Sequence, residues 1–405
     1  SGSVKVGDGS REQGLIARVF KFFVKAIKDK NEYITVTSSD ETSPVKVSYY
    51  KHNPEEKSSS LDETGKGESE KLEGLETLSD WKELSKDYEK NKNEKSYTVP
   101  VELKEQIIPY VKIEDKAGNI TYLNGDGIIL EDTKPSLDIV KKEEKAVYNG
   151  DVKFSIEAKD IEFGADGKPV YSGIKGLACK IYNGTTCTQS EIYGEINKDF
   201  IDNEEAKKYF EDEIGDKGDE LNTANKKNER VKRLTKEVLI DSKKNNSNNV
   251  KIAVLVQDNA GNTHFVEESI KIDITKPSIT VSYDNNNVKN ETYFNSDRTM
   301  TITYKERNIA QEGLTFNFNG ENIKLKDLEA KKSLGVEVLK IKDSEEDKKP
   351  EEYTDARTLT YTIKFSGEDM DYQIIPHIED LAGNKNDRIT YADDTVASQK
   401  FTVDK

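Results

Sequence analysis

Three aspartate–asparagine pairs have the residue types and spacing for chemistry: "DKAGN" from Asp115 to Asn119, "DNAGN" from Asp258 to Asn262 and "DLAGN" from Asp380 to Asn384. A carboxylate beside a carboxamide can orient a reacting group or hold a cation. Nucleophilic or acid–base work needs further partners, and no His, Ser or Cys accompanies all three copies. The other chemistry-bearing residues are Cys179 and Cys187, and the histidines His52, His264 and His377, which are scattered along the chain. No metalloprotease helix, phosphate loop or nucleophile elbow is present. Acidic pairs occur throughout a chain with 35% charged residues, so they do not identify a glycosidase. The expectation is a non-enzyme.

The pentapeptide also reads as architecture. A three-residue loop Lys116, Ala117, Gly118 pairs Asp115 with Asn119 and puts Gly118 in the left-handed region that glycine reaches most cheaply. The carboxylate then accepts amide protons of the turn. The same roles fall to Gly261 and Asn262 after Asp258, and to Gly383 and Asn384 after Asp380. The aspartates stand 143 and 122 residues apart, a domain-sized period. A strand pattern precedes each one: "IIPYVKIED", "VKIAVLVQD" and "YQIIPHIED". Linkers repeat as well, "EDTKPS" at Pro135 and "DITKPS" at Pro277. This predicts a mainly β chain of three antiparallel β-sandwiches in tandem, 15–133, 134–275 and 276–405.

Composition agrees with thin domains. Only 33% of the 405 residues are hydrophobic, and the formal charge of −16 opposes nucleic acid and anionic membrane. No stretch approaches twenty apolar residues, so no membrane span is expected, and the chain is read as a monomer. Residues 1–14 read as a flexible lead-in. In 15–27, Leu15, Ile16, Val19, Phe20, Phe23, Val24 and Ile27 recur at helical spacing opposite Lys21, Lys25 and Lys28, which favours a helix while leaving a first strand open.

Two insertions interrupt the strand patterns, at 54–95 and 197–233. In "LSDWKELSKDYEK" Ser79 could cap a helix carrying Trp81, Leu84 and Tyr88 on one side. In "IDNEEAKKYFEDEIG" Asp202 and Glu205 make a capping box, Gly215 a stop, and Tyr209 and Phe210 a narrow apolar stripe. Trp81, Tyr88, Tyr209 and Phe210 are therefore the candidate partner-binding residues, with burial in a core as the competing role for Trp81.

For the cysteines, a loop at 182–184 pairs Cys179 with Cys187 across a hairpin and puts Gly184 where a left-handed residue is required. A disulfide there implies an oxidising setting; two thiols in a strand are the alternative. Zinc would need histidines the spacing does not supply. "NGDG" at 124–127 and the acidic linkers offer oxygen ligands, but without an Asp-x-Asp-x-Asp ladder, so neither metal nor cofactor is expected.

The turn and linker motifs resemble those of the bacterial immunoglobulin-like domains strung together in large cell-wall-attached surface proteins of Gram-positive gut bacteria. There Asp-x-Ala-Gly-Asn sits between the last two strands and Asp-x-Thr-x-Pro joins modules. Here "SYTVPVELKEQIIPYVKIEDKAGN", "KDIEFGADGKPVYSGIKGLACKIYNG" and "FNSDRTMTITYKERN" extend the match over about two thirds of the chain. The resemblance implies three tandem immunoglobulin-like β-sandwiches, with short helical insertions in modules one and two, in an extracellular, cell-wall-attached protein that binds a host protein or glycan through module surfaces and insertions, immunoglobulin being one partner of that kind. A structural stalk is the alternative.

Overall fold

Alternation governs the strands that bury one face only. Val152–Lys159 buries Val152, Phe154, Ile156 and Ala158 and turns Lys153, Glu157 and Lys159 away from the core, while Arg233–Ile240 and Thr358–Phe365 repeat the pattern. Glu105–Asp115 and Ser247–Asp258 are buried over most of their length. They are central strands covered on both faces, which is why their sequences alternate only in part. The computed structural model describes residues 2–6, 23–26, 32–40, 42–53, 75–89, 95–125, 128–184, 232–286, 292–310, 315–318, 321–373, 378–386, 388–398 and 400–405.

The main sheets form in sequence order. First, Gly2–Val6, Glu32–Ser38 and Lys95–Val101 make one sheet. The second runs Phe23–Ala26, Ile128–Glu131, Glu105–Asp115, Val45–His52, Lys82–Glu83. Next come Ser136–Lys141, Val152–Lys159, Arg233–Ile240 and the sheet of Ile174–Asn183, Ser247–Asp258, Thr263–Ile272. The last pair is built around Arg298–Lys305 with Thr358–Phe365, and Met370–Gln373 with Lys400–Val403. Buried apolar residues gather accordingly: Ile34 to Leu130, Leu137 to Ile272, and Ile279 to Val403. These are called the first, second and third cores below. The architecture is mainly β with immunoglobulin-like paired sheets.

Three expectations are corrected. Gly2–Val6, read as a lead-in, is a strand paired antiparallel with Glu32–Ser38. Phe23–Ala26, within the stretch read as favouring helix, is a strand parallel to Ile128–Glu131; residues 15–22 and 27 lie outside the described residues. The helix expected after Ser79 is replaced by the short strand Lys82–Glu83, preceded by a 3-10 turn at Leu75–Thr77. The reason is the exposed edge of Val45–His52. Leu84 N–H donates to Val47 O at 2.8 Å, and Val45 and Glu89 exchange two bonds of 2.9 Å, so the segment's amides serve a sheet instead of a helix. Trp81 and Leu84, one helical face by spacing, pack into different clusters. The expected helix from Asp202 to Gly215, with Tyr209 and Phe210, lies outside the described residues, as do Cys187 and His377. No α-helix occurs among the described residues.

One glycine carries an unusual burden. Gly335 closes the 3-10 segment Leu325–Leu334 at φ 61°, and a Cβ there would meet the Gly367 backbone nitrogen at 2.4 Å. Gly118 has φ 89° but open space around it. Gly335→Ala is expected to cost about 3 kcal/mol, combining strain with a backbone clash, whereas Gly118→Ala costs about 1 kcal/mol. Thermal melts of the two variants check the order; equal losses would contradict it.

Carboxylate clusters beside the Thr-Lys-Pro segments

The turn geometry is the same in all three copies. Asp115 N–H donates to Asn119 O at 3.0 Å, and Gly118, Gly261 and Gly383 have φ of 89°, 92° and 90°. Each aspartate accepts from its asparagine twice: for Asp258, Asn262 N–H at 2.8 Å and Asn262 Nδ2 at 2.9 Å. For Asp380 both bonds are 2.8 Å, and Ala382 N–H adds a third at 2.9 Å. What differs is the surroundings. Asp115 lies towards solvent, and the Asn119 carboxamide holds its pKa below the ordinary value. Asp258 and Asp380 are buried.

Each buried aspartate faces two more buried acids. Glu131, Asp160 and Asp258 bring one carboxylate oxygen apiece within 4.8 Å of one another, and so do Asp273, Glu306 and Asp380. The members correspond. Glu131 and Asp273 each stand two positions before the threonine of their Thr-Lys-Pro; Asp160 and Glu306 each follow a strand-ending lysine, after Val152–Lys159 and Arg298–Lys305; Asp258 and Asp380 are the turn aspartates. Thus the segment leaving one core meets a strand end and a turn of the next.

In the first cluster Ser172 N–H donates to Glu131 Oε1 at 2.9 Å, and Gly173 N–H to Asp160 Oδ2 at 2.6 Å. Glu131 Oε2 accepts no hydrogen bond. Burial is the main cause that raises all three: Glu131 to about 8, with the Asp160 charge adding to it; Asp160 to about 6, against the Gly173 amide; Asp258 to about 7, against its bonds to Asn262. Among the described residues no lysine or arginine pairs with any of the three; the nearby Lys104 ammonium is bound to Glu162 at 2.8 Å.

The second cluster contains its own cation. Arg307, 4% exposed, sets Nη2 3.1 Å from Asp273 Oδ1 and also donates to Ile272 O at 3.1 Å. Asn308 Nδ2 donates to the other Asp273 oxygen. Glu306 Oε1 accepts the amides of Arg307 and Asn308 at 2.6 and 3.1 Å, and burial, then the Asp273 charge, pushes Glu306 up to about 8. Asp380 is raised by burial.

Further polar contacts join consecutive cores. Asn53 Nδ2 donates to Pro169 O at 3.3 Å, and Tyr171 N–H donates to Gln106 Oε1 at 3.3 Å. Asn248 and Asn308 exchange bonds of 2.7 and 2.8 Å, and Asn384 Nδ2 reaches Asp273 O at 2.9 Å.

The remaining predicted residues lie elsewhere. Trp81 is half-buried between Tyr50 and Tyr122, with ring centroids 6.1 and 5.8 Å away, over a small cluster of Leu75, Ile108 and Tyr110. Tyr88 is exposed and its hydroxyl donates to Glu114 at 2.8 Å. Cys179 is buried opposite Val254, and its expected partner lies outside the described residues. His52 is buried beside Tyr50 and Tyr110, and His264 Nδ1 is 2.8 Å from Pro135 O. Sequence reasoning singled out the turn aspartates and the acidic linkers, but not Asp160 or Glu306. The usable signal was a Lys-acid pair closing a long strand in two repeats.

No family model matches the chain, and no curated protein does. Among solved structures, the tetra-tandem repeat in the extending region of a large adhesion protein is 11% identical, with 100% of this chain and 74% of that one covered and a TM-score of 0.29. A structure from a 1.5-MDa bacterial ice-binding adhesin gives 12% identity, 92% and 91% coverage and a TM-score of 0.26. The Escherichia coli adhesin FdeC gives 10%, 100% and 97%, and 0.27. Likeness at this level bears on neither the chemistry nor the partners of this chain.

Proposed function

We propose that the chain is a non-enzymatic, extending segment of a bacterial surface protein: three tandem sandwiches, 15–133, 134–275 and 276–405, with Gly2–Val6 added to the first, held in line as a semi-rigid rod. The observation that carries it is the repeated junction. The same three acidic positions and a set of cross-core hydrogen bonds recur wherever one core passes to the next. A connection built only as a tether would not bury charged groups, because burial is costly and has to be offset by fixed partners. The extracellular, cell-wall-attached setting follows from the resemblance of the turn and linker motifs.

A second reading, capture of a host protein or glycan with immunoglobulin among the partners, is favoured by one observation: Tyr50, Trp81 and Tyr122 form a half-buried aromatic group on the outer side of a sheet. Small-angle scattering of the whole chain checks the rod, which gives a maximum dimension near three sandwiches end to end. A broad distribution of dimensions would reject it. Pull-down from serum and mucus checks capture: Trp81→Ala should weaken retention at least about tenfold while the fold is kept. Unchanged retention removes the aromatic group from the reading.

A further inference from the structure

We infer that the first junction is a divalent-cation site, with calcium-type oxygen coordination by Glu131, Asp160 and Asp258, and that Arg307 makes the second junction independent of such an ion. The inference goes beyond the rod reading and rests on the junction geometry alone.

Two oxygens bound to one calcium ion at about 2.4 Å can stand at most about 4.8 Å apart, so three carboxylate oxygens gathered within 4.8 Å of one another fit around a common ion. Acid clustering alone would not distinguish an ion site from a set of shared protons. The second observation is Glu131 itself. It is 1% exposed, its Oε1 is engaged by the Ser172 amide, and its Oε2 is buried with no hydrogen bond. A buried carboxylate oxygen without a donor is costly, and a hard cation satisfies it together with its two neighbours.

The backbone already orients the ligands. Gly173 N–H fixes Asp160 Oδ2, and Asn262 holds both oxygens of Asp258. Three carboxylates leave several positions of a six- to eight-coordinate ion for water, which suits the weaker affinities of extracellular modules, about 10⁻⁴–10⁻³ M. The second cluster has an equivalent orphan, Glu306 Oε2, but there a guanidinium already supplies positive charge through Asp273. Adding a divalent ion beside it would bring like charges together in a buried place.

Calorimetric titration of the EDTA-stripped whole chain with calcium chloride, paired with thermal melts, tests this. The expected result is one ion per chain and a rise in the lowest melting transition. Glu131→Gln and Asp160→Asn should each weaken binding at least about tenfold, and Glu306→Gln should change neither affinity nor stoichiometry. Circular dichroism of each variant separates lost binding from lost folding, and Asp160→Asn stands in if Glu131→Gln does not fold. Absence of heat and of any melting shift at about 10 mM calcium, well above the range such modules need, overturns the site. Two ions per chain, or equal weakening by Glu306→Gln, overturns the assignment to Arg307. Scattering in EDTA keeps the two readings apart, since a chain that stays extended without binding calcium sinks only the ion site.

Discussion

Asp380→Ala should lower the melting temperature of the third core far more than Asp115→Ala lowers that of the first. The two aspartates occupy equivalent turns and accept from equivalent asparagines, Asp115 from Asn119 and Asp380 from Asn384. Removing Asp380 leaves the amides of Ala382 and Asn384 without their acceptor in a place that is 3% exposed, where water cannot readily replace it. Each orphaned buried donor costs about 1–3 kcal/mol, so a loss of roughly 2–4 kcal/mol is expected after allowing for relief of repulsion from Glu306 and Asp273. At Asp115 solvent takes over the exposed donors and the shift is small. Differential scanning calorimetry of the two variants measures this. Equal shifts would mean that local turn geometry, and not burial, sets the worth of the carboxylate.

The second large effect is on pH dependence at the first junction in metal-free solution. Glu131, Asp160 and Asp258 have ordinary values of 4.5, 3.8 and 3.8, and in the folded chain these rise to about 8, 6 and 7. The folded state therefore holds protons that the unfolded state releases between those limits. The contribution is fully present below about pH 4 and is lost as pH rises towards about 8, a decline on the order of a few kcal/mol. Melting in EDTA should fall from about pH 5 to about pH 8, more steeply for the native chain than for Asp258→Asn, which takes one titrating group out of the cluster. Parallel profiles for the two proteins would show that the cluster does not control the junction.

Much of this was readable from residues because it is local. The turn roles of Gly118, Gly261 and Gly383 follow from backbone sterics, and the alternation in Val152–Lys159 follows from the two-residue period of a strand. The segment around Trp81 was not readable. Its spacing satisfies a helix, but the free edge of Val45–His52 accepts its amides, and which of two local patterns wins depends on a partner distant in sequence.

By itself, then, the sequence determined the alternating strands such as Val152–Lys159, the turns, the repeat and the acidic character of the linkers, since each depends on neighbours a few positions away. Only the tertiary structure decided that Asp258 and Asp380 are buried among other acids while Asp115, spelled almost identically, is not. It also decided that one cluster contains Arg307 and the other has no arginine or lysine partner among the described residues. The physical reason is that burial and charge pairing belong to the space between chain segments, and that space exists only after one core has folded against the next.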